Sequence, residues 1–362
     1  MLHCPIDRMI LMSDGRIIAD DTPDRVLARN ILTTYGIREP LYLTACRYAG
    51  IDVTEAMKPA SLKTLDIALC REPLHKWFVE HVQPEKQQVQ EPLLEIEDIC
   101  FSYDGKKQVL DHVSAVVHKG EMVSIVGKNG AGKSTLAHII TGFLKPDSGS
   151  IRLNGEDLSK YTISERAAYV GIVLQNPNQM ISKTMIFDEI ALGLRIRGVA
   201  EEEIDRRVTD VMKICGLSEF KNWPISALSY GQKKRVTIAS ILILNPDVLI
   251  LDEPTAGQDF RHYSEIMEFL QRLNNDGQTI LLITHDMHLM LEYTDRAIVL
   301  SDSVKLADQK DYEVLCDAEL CKNANLKETS LFQLAQKAEI SDPLGFVRCF
   351  IRYDKEQRDH EN

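Results

Sequence analysis

The residues best suited to chemistry lie in two short stretches. GKNGAGKST, residues 127–135, fits G-x-x-x-x-G-K-[ST]. Gly127, Gly130 and Gly132 let the backbone curl until its N–H groups, that of Asn129 included, converge on phosphate oxygens. The helix expected to follow adds the partial positive charge of its N-terminus. Lys133 is placed to reach the β- and γ-phosphates of a nucleotide, and the Ser134 hydroxyl, followed by Thr135, to ligate Mg²⁺. The second stretch, VLILDEP at 248–254, is an apolar run that ends in two carboxylates. An acid at the carboxyl end of a strand in an open α/β sheet points into the ligand crevice. Asp252 would hold the metal, and Glu253 would act as general base on a water.

The surrounding pattern predicts elements that can position these groups. MVSIV (122–126) reads as a buried strand before the glycine loop, and TLAHIITGFL (135–144) as the helix after it. VLIL (248–251) and TILLIT (279–284) read as further buried strands of a parallel sheet. From residue 121 onward such strands alternate with helical stretches, the mark of an α/β domain. LLEIEDICFSY (93–103) alternates apolar and polar residues as a half-buried strand does. Between 185 and 225 the pattern predicts an inserted helical subdomain, with Ile204, Val208, Val211, Met212 and Ile214 at roughly helical spacing. VQPEKQQVQEP (82–92) has the composition of an exposed linker. LFQLAQKAEI (331–340) reads as a helix, and YDKEQRDHEN (353–362) as a charged, frayed end.

Composition narrows the function class. A net charge of −12 lacks the basic footprint of a general nucleic-acid binder. Eight scattered cysteines without a C-x-x-C pair suggest reduced thiols, not a disulfide framework. No apolar run reaches the roughly 20 residues of a membrane helix, so membrane association is expected to run through a partner.

ALSYGQKKRV (227–236), lying between the two chemical stretches, resembles the L-S-G-G-Q signature of the ATP-binding cassette (ABC) ATPases. Tyr103 matches that family's adenine-stacking aromatic, Gln175 its Q-loop glutamine, Asp259 the acid of the loop after the second carboxylate, and His285 its switch histidine. The resemblance covers roughly residues 93–320. It implies an α/β P-loop NTPase fold of ABC ATPase type, with a mostly parallel central sheet, an antiparallel β-subdomain and a helical signature subdomain. It implies ATP and Mg²⁺ as ligands, with Ser134, Gln175 and Asp252 at the metal and Glu253, His285 and Gln175 at the γ-phosphate and attacking water. It also implies a dimer, in which Ser229, Gly231 and Gln232 serve the nucleotide of a facing ATPase domain, whether a second copy or a separate subunit. Tyr230 departs from the pattern, standing where the family usually has glycine. The stretch QNPNQ (175–179) is similar to the Q-loop of energy-coupling-factor (ECF) importers. Several neighbouring segments resemble the hydroxymethylpyrimidine/thiamine type. That resemblance implies an integral membrane coupling protein, a membrane component that binds the solute, and a peripheral position at the cytoplasmic face of the cell membrane. The rival reading is a soluble ABC ATPase acting on ribosomes or nucleic acid. Such proteins often carry basic arms or long coiled coils, which this acidic chain lacks.

An internal repeat completes the reading. Over 7–27 against 295–315, nine of 21 positions are identical: Asp7, Arg8, Ile10, Ser13, Asp14, Ala19, Asp20, Val26 and Leu27. At an offset of 289, IREP (37–40) meets LKET (326–329) and AGI (49–51) meets AEI (338–340). In an ABC ATPase this stretch closes the domain. The expected organisation is therefore residues 1–55 as the closing tail of a first ATPase domain, 56–92 as connecting segment and linker, 93–320 as the ATPase domain, and 321–362 as a helical tail.

Overall fold

The computed structural model describes residues 6–13, 15–84, 91–256 and 260–361. Its strands are β1 (Met9–Ser13), β2 (Arg16–Asp21), β3 (Pro92–Ser102), β4 (Gln108–His118), β5 (Met122–Val126), β6 (Ser148–Leu153), β7 (Glu156–Asp157), β8 (Val170–Val173), β9 (Val248–Asp252), β10 (Thr279–Ile283), β11 (Arg296–Ser301) and β12 (Val304–Lys310). The helices are α1 (Pro23–Ala28), α2 (Leu41–Tyr48), α3 (Arg71–His81), α4 (Lys133–Thr141), α5 (Ile163–Arg166), α6 (Ile186–Ile196), α7 (Glu201–Ile214), α8 (Tyr230–Leu242), α9 (Phe260–Asn275), α10 (Met287–Tyr293), α11 (Asp311–Cys316), α12 (Ala318–Ala324), α13 (Ser330–Lys337) and α14 (Pro343–Glu361).

The central sheet runs β12-β11-β5-β10-β9-β8. Five of its strands are parallel, and β12 pairs antiparallel with β11 at one edge. Both faces are covered, which is why these strands read as unbroken apolar runs. Every residue of β5 and β10 is buried. Alternate side chains feed two cores. Leu249, Leu251, Ile280 and Leu282 pack with α6, α7, α8 and α9. Val248, Ile250, Leu281 and Ile283 pack with α4 and with a second sheet, ordered β4-β3-β6-β7 and antiparallel throughout. This is the P-loop α/β architecture that the motifs imply.

A third core joins the two ends of the chain. Leu27, Leu43, Leu74, Trp77 and Phe78 from residues 23–81 pack with Val314, Leu331, Leu334, Phe346 and Phe350. The Phe346 ring meets Trp77 edge-on at 5.7 Å and Phe78 at 6.0 Å. The charged end read as frayed continues α14 to Glu361 instead, tied by Arg358 to Asp354 and to the Glu292 carbonyl.

The repeat has a structural counterpart. The hairpin β1–β2 pairs Met9 with Asp21 and slips its register between Leu11 and Met12. The hairpin β11–β12 pairs Ala297 with Gln309 and slips between Val299 and Leu300, the equivalent points at an offset of 288. Arg8 bridges Asp20 in one hairpin, and Arg296 bridges Asp308 in the other. Helices α1 and α11 follow at the same offset, and α2 and α13 at 289. Gly36 and Asn325, also 289 apart, both take a left-handed backbone, at φ 69° and 55°. Asp14 lies outside the described residues.

Phe346→Ala removes the ring on which the two ends of the chain meet. It should cost about 3–5 kcal/mol of stability, measured by urea unfolding with Trp77 fluorescence as the local probe.

Candidate functional site

The site forms where β5, β9 and β10 end on one edge of the sheet. Strand β5 runs into the glycine loop, whose Gly127, Gly130 and Gly132 have φ of 141°, 80° and 97°. At Gly127 a Cβ would sit 1.9 Å from the Leu300 carbonyl oxygen, and at Gly132 one would sit 2.7 Å from that of Val109. Glycine is therefore required by space as well as by φ. Helix α4 starts at Lys133, so the N-terminal amides of Lys133, Ser134 and Thr135 face the loop. The Lys133 ammonium donates to the carbonyls of Gly127 (2.8 Å) and Lys128 (3.1 Å). Burial lowers its pKa, while Glu253 and Asp252 oppose that shift.

Two further contacts tie strand ends to the loop. Ser134 Oγ donates to Asp252 Oδ2 at 2.9 Å. Two hard oxygens converging there fit Mg²⁺. Asp252 pairs with Ile283 in the β9–β10 register, and the next residue, Glu253, takes φ 47° and donates its N–H to the Ile283 carbonyl at 2.9 Å. That turn aims the Glu253 carboxylate at His285, with Oε1 2.7 Å from Nδ1. The Glu253 side chain is 15% exposed and that of His285 67%. Burial raises the Glu253 pKa against the opposing effect of His285. The arrangement sets a half-buried carboxylate beside a solvent-facing imidazole, next to a glycine-rich loop at a helix N-terminus.

Other expected residues fall around this set. Tyr103 is 65% exposed; its ring meets Phe101 edge-on at 4.9 Å, and its hydroxyl is 3.1 Å from Thr135 Oγ1. The aromatic face is thus held open beside the start of α4. Asn129 is exposed in the loop, and Gln175 is exposed just beyond β8. Ser229 caps α8 in a reciprocal pair: its Oγ accepts from Gln232 N–H (3.3 Å), and Gln232 Oε1 accepts from Ser229 N–H (2.9 Å). Ser229, Gly231, Gln232 and Arg235 line a cavity of about 130 Å³. Asp259 lies outside the described residues.

Tyr230 is the first residue of α8, where the backbone is helical and needs no glycine. Its hydroxyl donates to the Gln175 carbonyl at 3.2 Å. One helical turn on, the fully buried Lys234 donates to the carbonyls of Leu174 (2.7 Å) and Gln175 (2.9 Å). Burial brings its pKa down to about 8. The motif comparison passed over Lys234, although its i, i+4 spacing from Tyr230 places both on one helix face. Together they clamp the signature helix to the end of β8. Lys234→Met should therefore speed amide exchange across residues 174–180 by roughly tenfold or more, read by hydrogen-exchange mass spectrometry. Tyr230→Phe should give a smaller increase.

Comparison with known proteins identifies relatives of this chain. The ABC transporter family matches residues 110–256, and a family described as ATP-binding cassette cobalt transporter matches residues 29–101. A Clostridium perfringens protein assigned as an ABC transporter ATP-binding protein is 54% identical over 99% of this chain and 63% of its own length. One from Enterococcus faecalis is 55% identical over 98% of this chain and 62% of its own. The chain thus spans less than two thirds of these curated relatives. Among solved structures, cbiO1 from Clostridium perfringens, described as part of the ABC transporter complex cbiONQ, is 32% identical with a TM-score of 0.61, covering 69% of this chain and all of that one. The ADP conformation of MJ1267, an ATP-binding cassette, is 26% identical with a TM-score of 0.58 over 64% of this chain and 97% of its own. Its phosphate loop, its strand-end carboxylates and these relatives place the chain in the family of ABC transporter ATP-binding proteins.

Proposed function

We propose that the chain binds and hydrolyses ATP and thereby drives an importer of the ECF type. The observation that carries the reading is the bonded set around the phosphate loop: Lys133 on its own loop, Ser134 on Asp252, and Glu253 on His285. Lys133 would exchange its two carbonyl partners for phosphate oxygens. Mg²⁺, held by Ser134, Asp252 and Gln175, would neutralise phosphate charge. Glu253 would accept the proton of the attacking water, and His285 would orient that carboxylate and donate to the γ-phosphate. Asp259 would belong to the same site, and Tyr103 would stack on adenine.

The rest of the reading concerns partners. Ser229, Gly231 and Gln232 would complete the site of a facing ATPase domain, supplied by a second copy or a separate subunit. The matching hairpins and helices of residues 9–48 and 297–337 support a second copy of the element that closes an ATPase domain. Residues 1–55 would be that copy, 56–92 the connection, 93–320 the working ATPase domain and 321–362 its helical tail. No helix among the described residues is long and apolar enough to cross a membrane. Coupling would therefore run through an integral membrane protein at the cytoplasmic face, with a separate membrane component selecting the solute. The cobalt description at residues 29–101 supports a metal ion as solute, and the Q-loop resemblance supports a vitamin or a thiamine-type precursor. No role in nucleic-acid binding is proposed.

Glu253→Gln should lower phosphate release on the order of 10²–10⁴-fold while nucleotide binding persists, measured by single-turnover hydrolysis with the partner ATPase present. Unchanged turnover would remove Glu253 as the base. The pH profile should follow as well. Burial raises the Glu253 pKa, so the proton that disables the base is taken up at higher pH than by an exposed glutamate. The acid limb of kcat/KM should accordingly lie above the usual carboxylate range, with activity lost as pH falls through it.

A further inference from the structure

A second cluster of chemically active side chains lies in the antiparallel sheet, on β3 and β4. Two opposed β-bulges create it. Ile96 faces Ala115 and Ile99 faces Val113, so Glu97 and Asp98 stand opposite Ser114 alone. Then Ile99 faces Val113 and Phe101 faces Leu110, so Asp111 and His112 stand opposite Cys100 alone. Each bulge holds one non-glycine residue in the left-handed region, Asp98 at φ 54° and His112 at φ 52°. L side chains other than those of asparagine, aspartate and histidine rarely adopt such a backbone. Bulges turn side chains out of the regular alternation, and these two turn theirs toward one another.

We propose that Cys100, Asp111 and His112 bind a divalent transition-metal ion of the zinc and cobalt class, with Asp98 orienting the imidazole. The ligating atoms of the three residues lie within 4.8 Å of one another. His112 Nε2 is 3.9 Å from Asp111 Oδ1. Ligands on a tetrahedral Zn²⁺ stand about 3.5 Å apart, given bonds of about 2.0–2.3 Å, so small side-chain rotations close the set. The second ring nitrogen, Nδ1, is 2.7 Å from Asp98 Oδ1. A carboxylate behind a histidine is the arrangement that fixes the tautomer of a metal-ligating imidazole. The Cys100 Sγ accepts the backbone N–H of His112 at 3.3 Å, which holds the sulfur beside the imidazole. Cys100 is 6% exposed while the His112 and Asp111 side chains are 68% and 45% exposed, so one ligand is anchored and the other two open to an arriving ion. A thiolate, an imidazole and a carboxylate carry two negative charges and select borderline cations over Mg²⁺. Three protein ligands leave the fourth position to water or an exogenous ligand.

Co²⁺ is the probe, because only a thiolate ligand gives it a near-ultraviolet charge-transfer band. Titrating the full chain with Co²⁺ in the presence of excess Mg²⁺ should produce that band at one ion per chain, and Zn²⁺ should abolish it by displacement. Cys100→Ser should abolish the band. His112→Asn, which tolerates the left-handed backbone, should weaken Co²⁺ binding at least tenfold, and Asp98→Asn on the order of 10–100-fold. Circular dichroism of the metal-free variants controls for folding. Absence of a band from the wild-type chain, a band that survives Cys100→Ser, or affinity unmoved by both His112→Asn and Asp98→Asn would each overturn the proposal. None of these readouts depends on ATP hydrolysis.

Discussion

The structure depends on the parallel register that brings the ends of three strands to one edge. Ile283 pairs with Asp252 across β10 and β9, and the Ile283 carbonyl takes the next amide, that of Glu253. This pairing fixes where the two carboxylates leave the sheet. From there Asp252 meets Ser134, and Glu253 meets His285. A slip of one residue would turn Asp252 to the opposite face, since side chains alternate with a period of two. The register in turn is held by burial on both faces: every β10 residue is buried, as are Val248 to Leu251 of β9. Apolar packing in the sheet thus sets polar geometry at its edge.

The same logic governs the signature helix. A lysine ammonium buried without partners is costly, because it leaves water for a medium that stabilises charge poorly. Lys234 is held by two carbonyls at the end of β8, and Tyr230 adds a third bond on the same short segment. The residue that departs from the familiar signature pattern is therefore engaged structurally. Its side chain joins the helical layer to the loop that carries Gln175. Movement of α8 and movement of that loop are linked by these three bonds.

The third core gives residues 23–81 a packing partner. In the sequence, residues 1–55 read as a domain-closing tail and 56–92 as connecting segment and linker. In the fold, α2 and α3 bury Leu43, Leu74 and Trp77 against α13 and α14. The apolar residues of a short helix are weak evidence of where they pack, because the partner lies some 270 residues away in the chain. The repeat gives the better clue. Two hairpins with the same bulge and the same Arg–Asp bridge are each followed by a short helix that packs into this shared core.

Sequence alone determined the phosphate loop, the strand-end acids and the α/β class. Each is a local pattern: glycines at fixed spacing, apolar runs of strand length, and acids at their ends. Local patterns survive translation into structure because backbone conformation and burial act over a few residues. Tertiary structure decided which groups touch. It placed His285 on Glu253, Lys234 under the Gln175 loop, and Asp98, Cys100, Asp111 and His112 in one cluster. These contacts join residues from 12 to 60 positions apart, through bulges and a left-handed Glu253 that no spacing rule foresees. Their positions follow from strand register and helix docking, and those are set by the summed packing of the whole core.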